Sequence, residues 1–157
     1  MASAVVLENE VLKNKIIGLM NIRPKDFAAE EKREGAFAFD FVIRKGIPFT
    51  AIRIVKSKLE LSDSEFAKIL GISLRTLHRK KETHQKLSIT EGDRLYRVLR
   101  IFALAGEVLE SDEMAKRWLH KPQHGLGGRV PMELVETEAG AREVEDLLEK
   151  IEFGVIV

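Results

Sequence analysis

The sequence predicts an all-α protein, and three observations carry the prediction. Apolar residues recur at three- and four-residue intervals along most of the 157-residue chain, the spacing of one helix face. The clearest such run opens on Ser62 with Glu65 three residues later, a helix-start pattern. Only one stretch alternates like a strand, and it has no second strand to pair with; an unpaired strand is not stable.

Leu7, Val11, Leu12, Ile16, Leu19 and Met20 share helical spacing and predict a first helix over 7–20. Residues 21–35 hold Pro24, Asp26 and a charged run from Glu30 to Glu34, and read as a loop or a poorly packed turn. Phe37, Phe39, Phe41 and Ile43 form the alternating stretch. Phe37 and Phe41 are also i, i+4 neighbours, so a helix ending at Gly46 is the preferred reading. Pro48 suits a helix start, and Ile52, Ile54, Val55 and Leu59 give the next helix an apolar face up to about Leu59.

Leu61 to Glu82 is the informative stretch. Ser62 and Glu65 form a capping-box pattern, and Phe66, Ala67, Ile69 and Leu70 supply the buried side of a short helix that Gly71 ends. Ser73 caps a second helix with Leu74, Leu77 and a dense basic face. Two short helices joined at a glycine are the helix-turn-helix unit. Ala67 is small where the helices cross, Gly71 can take a positive φ, and Ile72 and Leu77 plug the second helix into the core. Ser73, Arg75, Thr76, His78 and Arg79 are then left to point outward. An arginine fork can read guanine bidentately, at about 1–3 kcal/mol of discrimination. Ser64, Lys80 and Lys81 are better placed for phosphates, which position a protein without specifying sequence. An ordinary helical hairpin is the competing reading. His78 can be a base contact or a surface residue, and His84 reads as a loop residue.

After a polar link over 81–86, Thr90 can cap a long amphipathic helix marked by Leu95, Val98, Leu99, Phe102 and Leu109. Arg94, Arg97 and Arg100 lie along one side, and a solvated face with i, i+3 pairing is preferred to phosphate contact for Arg97 and Arg100. Residues 113–119 look helical, with Met114, Trp118 and Leu119 apolar, and Pro122 stops the helix. His120 and His124 are four apart, but Pro122 lies between them and no Cys exists, so no metal site is expected. Gly125-Leu126-Gly127-Gly128-Arg129 lacks the preceding strand and the Lys-Ser/Thr ending of a phosphate loop, and reads as a tight turn. Pro131 opens the next helix; Thr137 starts a last one with Val144, Leu147, Leu148 and Ile151 on one face. Residues 151–157 are unusually apolar. They either pack on their own domain or insert into a partner.

Composition narrows the function classes. The net charge is only +1, but residues 68–100 hold 9 Lys+Arg against 3 Asp+Glu, and residues 101–157 hold 6 against 12. A basic middle suits a polyanion, and an acidic final third would face away from the same duplex. The absence of Cys excludes a disulfide framework and a thiol nucleophile. No apolar run approaches the ~20 residues of a membrane span, so no membrane partner and a cytoplasmic location are expected. Ten aromatics argue against an aromatic-lined single-strand binder. No nucleophile–base pair, metal cluster or cofactor loop emerges, so neither catalytic residues nor a cofactor are expected.

Two motif sets, in order, resemble one family. Ile69-Leu70-Gly71-Ile72-Ser73 with Arg75-Thr76-Leu77, then Leu87-Ser88 with Glu91 and Asp93-Arg94-Leu95, are similar to Xre-type antitoxins. Trp118-Leu119, Leu126-Gly127-Gly128-Arg129-Val130-Pro131, Thr137-Glu138 with Gly140-Ala141, and Ile151-Glu152 with Gly154 look like the Xre/MbcA/ParS toxin-binding domain. Lys80-Lys81 and Met132 depart from the pattern, where Arg and Leu are expected, and residues 1–45 match nothing nameable. The resemblance implies a helix-turn-helix core with a C-terminal helical toxin-binding domain. It implies a type II antitoxin that covers the active-site entrance of a RES-domain, NAD-degrading toxin and binds operator DNA to repress its own operon. Carried over, Arg75, Thr76 and Arg79 would read DNA. Leu126, Gly127, Gly128 and Arg129, with Glu152, Phe153, Gly154, Val155, Ile156 and Val157, would meet the toxin. The expected organisation is an N-terminal helical extension over 1–46 that could serve dimerisation, a helix-turn-helix domain over 47–105 and a toxin-binding domain over 106–157. A homodimer and a larger hetero-oligomer with toxin are expected. A free-standing helix-turn-helix regulator without a toxin is the main alternative.

Overall fold

A computed structural model describes residues 9–156, and among them every regular element is a helix or a 3-10 turn. Helix α1 spans Glu10–Leu19, α2 Pro24–Glu34, α3 Ala38–Lys45, α4 Thr50–Leu59, α5 Asp63–Leu70, α6 Leu74–Thr83, α7 Ile89–Val108, α8 Asp112–Leu119, α9 Pro131–Leu134 and α10 Glu138–Glu152. Short 3-10 turns lie at Gly35–Phe37 and His124–Leu126.

Helix α7 is the hub. Residues 98–106 are all buried, and α7 packs on α1, α3, α5, α8 and α10. A helix buried on every side is a core element rather than an amphipathic surface one. Ser88, not Thr90, caps it: the Ser88 hydroxyl accepts the Glu91 N–H at 3.2 Å.

The N-terminal extension belongs to the same core. Asn9 caps α1 by accepting from Val11 and Leu12, and Leu12, Ile16, Ile17 and Met20 are buried. Val11, expected on the buried face, is 62% exposed; Leu7 lies outside the described residues. Residues 21–35 are the largest departure from expectation: most of them form α2. Pro24 opens it, Asp26 sits in its first turn and Lys32 and Arg33 in its last, so its charges complement the helix dipole. Its anchor is Phe27, whose ring centroid lies 4.7 Å from that of Phe39, itself 4.9 Å from Tyr96. Lys13, buried on α1, reaches Glu31 at 3.0 Å.

The alternating stretch becomes helix α3, ending at Gly46 as expected. Its buried face is Ala38, Phe39, Val42 and Ile43, whereas Phe37 falls in the preceding 3-10 turn and is 71% exposed.

Candidate nucleic-acid and protein-binding surfaces

The α5–turn–α6 geometry follows from local chemistry. The Ser62 hydroxyl accepts the Glu65 N–H at 3.1 Å, and the Glu65 carboxylate accepts the Ser62 N–H at 2.8 Å. That second bond is the main reason the Glu65 carboxyl is held below its ordinary value. Gly71 sits at φ +69°, where a side chain is strained. A Cβ there would also collide with the Arg94 guanidinium, which donates to the Leu70 carbonyl at 2.8 Å. Helix α7 thus reaches up to hold the turn it follows in sequence.

Ser73 caps α6, accepting the Thr76 N–H at 3.0 Å, and its hydroxyl also bonds the Thr76 hydroxyl at 2.9 Å. Arg75, His78, Arg79 and Lys81 are exposed and Thr76 is half-buried. Ser64 is exposed at the start of α5. His78 is less free than the sequence suggests: its Nε2 lies 3.2 Å from the Asp63 carboxylate, which also takes the Lys56 ammonium. Leu77 is buried as expected, whereas Leu74 is 43% exposed.

Lys80 corrects the expected phosphate contact. It is 5% exposed, and its Nζ lies 3.0 Å from Glu91 Oε1, itself buried. Glu91 Oε2 is buried without a hydrogen-bond partner. Removing this ammonium from water leaves no reach for a duplex; the pair instead ties α6 to the start of α7.

Arg97 and Arg100 of α7 are likewise not a solvated face. Arg97 Nε donates to Glu138 at 3.0 Å and its Nη1 to the Glu136 carbonyl at 3.3 Å. Arg100 Nε donates to Glu145 at 2.5 Å, and its Nη2 lies 3.5 Å from Glu138. Burial pushes the Glu145 carboxyl above its ordinary value, with Arg100 opposing. Together these arginines fasten α10 to the helix that closes the helix-turn-helix.

The residues expected to meet a partner protein lie in the glycine turn and at the end of α10. Gln123 donates to the Arg129 carbonyl at 3.0 Å and accepts from Gly128 at 2.9 Å, closing the tight turn; Gly127 and Gly128 both have positive φ. Gly127, Gly128 and Arg129 are exposed, whereas Leu126 is 8% exposed and anchors the turn. The turn packs on α10. Thr137 caps α10 by accepting the Gly140 N–H, and Val144, Leu147 and Leu148 are buried beneath it.

Helix α10 ends in a Schellman motif. Val155 N donates to the Lys150 carbonyl at 2.8 Å and Gly154 N to that of Ile151 at 3.1 Å, with Gly154 at φ +69°. The chain is thereby folded over the helix end with its apolar side chains outward. Phe153 is 78% exposed, Val155 51% and Ile156 100%, and Glu152 and Gly154 are also exposed. Val157 lies outside the described residues. Of the two readings open for this segment, packing on its own helices is ruled out for 153–156.

His120 Nε2 is 2.9 Å from the Leu59 carbonyl, a structural bond. Among the described residues no three His, Asp or Glu side chains gather as a metal site, and no helix is long and apolar enough to cross a membrane.

Comparison with known proteins finds two matching domains. Residues 38–100 match the antitoxin Xre-like helix-turn-helix domain, and residues 104–154 match the antitoxin Xre/MbcA/ParS C-terminal toxin-binding domain. The Antitoxin Xre of Pseudomonas putida is 41% identical over 83 residues, 53% of this chain and 52% of that protein. The Antitoxin Xre of Yersinia enterocolitica is 32% identical over 114 residues, 72% of this chain and 77% of that one. That of Photorhabdus laumondii is 27% identical over 116 residues, 73% and 78% respectively.

Proposed function

The chain belongs to the Xre antitoxin family, and from that premise we propose that it neutralises a RES-domain, NAD-degrading toxin and represses its own operon. Neutralisation comes from covering the toxin's active-site entrance with the Glu152–Ile156 segment and the neighbouring Gly127–Arg129 turn. Repression comes from α6 entering the major groove of operator DNA, with Arg75, Thr76 and Arg79 reading bases and Ser64 and Lys81 meeting phosphates.

The single observation that supports this reading most is the presence of two exposed surfaces on different elements of one core, one basic and one apolar. A basic recognition helix leaves Arg75 and Arg79 exposed, and an acidic helix ends in three exposed apolar side chains. A toxin cleft that binds an anionic dinucleotide carries positive charge, and the exposed Glu143, Asp146 and Glu152 complement it. Operator two-fold symmetry ordinarily mirrors protein symmetry, so the repressing species is a dimer, extended by toxin into a larger complex. The helical extension, the helix-turn-helix and the toxin-binding part divide near residues 46 and 105, although α7 runs through the second division.

Co-expression tests the proposal. The full chain restores growth and cellular NAD in cells producing a RES-domain toxin encoded beside it, and shifts a fragment of its own promoter. A chain that does neither is not this antitoxin.

A further inference from the structure

A cavity of about 320 Å³ lies between α4, the start of α5 and α6, on the flank of the recognition helix. Its floor is apolar: Phe49, Ile52, Leu61 and Leu77 are each at most 9% exposed. Its rim is positive. The Asp63 carboxylate at the cavity edge is already neutralised by Lys56 and by contact with His78. Arg53 and Lys81 complete the rim, both exposed, and neither is in an ion pair among the described residues. An apolar slot with uncompensated cations fits an apolar segment that carries carboxylates.

The same chain presents such a segment. Glu152 precedes the exposed Phe153, Val155 and Ile156. It does not reach its own cavity, because the Schellman bonds fold Val155 back on α10. Helix α10 packs on α7, α9 and the glycine turn, none of which lines the cavity. We propose that the cavity receives the Glu152–Ile156 segment of a second copy of the chain. Phe153 fills the apolar floor, and Glu152 faces Arg53 and Lys81. In a reciprocal two-fold pair each copy gives and receives once, so both segments are covered and no open site is left to extend the assembly. In this pair the exposed apolar segments are covered while no toxin is present, and the flank of α6 is occupied. Toxin competes for the same segment and leaves the cavity open.

The test uses neither toxin nor DNA, so its outcome is independent of the antitoxin reading. A labelled peptide of residues 146–157 is titrated with the chain lacking residues 153–157. It binds saturably, and binding weakens roughly tenfold or more on R53E/K81E in the protein or F153A in the peptide. Sedimentation provides the second measurement. The full chain pairs, and both the 153–157 deletion and the R53E/K81E chain lose this pairing with unchanged circular dichroism. Mixing those two variants restores one-way association, since one still has the cavity and the other the segment. Peptide binding that ignores R53E/K81E, or a mixture that fails to associate, overturns the proposal.

Discussion

Arg100 and Glu145 meet at 2.5 Å with both side chains 7% exposed. They join α7, which closes the helix-turn-helix, to α10, which presents the exposed Phe153 to Ile156 segment. A buried pair adds little net stability over apolar residues, but removing one partner strands a buried charge, at about 3–5 kcal/mol. Arg100→Ala and Glu145→Ala are therefore each expected to destabilise strongly. The R100M/E145L double variant is expected to recover most of the loss. Urea unfolding of the four chains measures the difference; additive losses would mean the two side chains do not act together.

Arg94 and Gly71 form the matching contact at the other end. Gly71→Ala meets both a left-handed backbone and the Arg94 guanidinium. A loss of about 1–3 kcal/mol is expected from the backbone alone. In the G71A/R94A chain the collision is relieved but the backbone strain persists, so thermal unfolding recovers only part of the loss. Full recovery would place the whole effect on the side-chain clash.

Lys80 and Arg79 are neighbours in sequence with opposite fates. Arg79→Ala is expected to leave the unfolding midpoint nearly unchanged. It weakens operator binding by about 1–3 kcal/mol and relaxes the base preference at the position it reads. Lys80→Ala is expected to unfold the protein at lower urea, because it leaves buried Glu91 unpaired. Denaturation and salt-dependent DNA titration of the same two variants separate these effects.

Asp112 makes stability depend on acid. Burial pushes its carboxyl up, but the Lys15 hydrogen bond and the charges of Lys15 and Lys58 outweigh this and hold it below its ordinary value. A depressed folded value contributes stability that is present above the ordinary aspartate value of 3.8 and lost as pH falls through the lower folded value. Asp112→Asn is expected to cost at most about 1 kcal/mol at neutral pH, roughly 2–4 °C in Tm. The gap to the parent chain closes below pH 3.8. Melting curves across pH check this; a gap that is constant with pH would contradict it.

The parts legible in the sequence were those with local causes. The Ser62–Glu65 box, the Gly71 turn and the Ser73 cap involve residues within a few positions of one another, and each is present as read. Helix α2 was not legible because one apolar side chain, Phe27, anchors it and no periodic stripe marks it. The arginines of α7 looked solvated because their carboxylate partners lie 41 and 45 residues away. Lys80 reads as a phosphate contact for a related reason: its partner Glu91 lies on the next helix, beyond the polar link over 81–86. The segment after Ile151 left two readings open on composition, and the Schellman geometry around Gly154 decides for exposure.

The most direct measurement compares two affinities of one variant. In the chain lacking residues 153–157, binding to the RES-domain toxin is expected to fall by about tenfold or more. Operator affinity per recognition helix is expected to stay within about twofold, because Arg75 and Arg79 lie on the other surface. Equal loss of both affinities, or of neither, would contradict the division of the molecule into a DNA-gripping helix pair and a toxin-covering helix end.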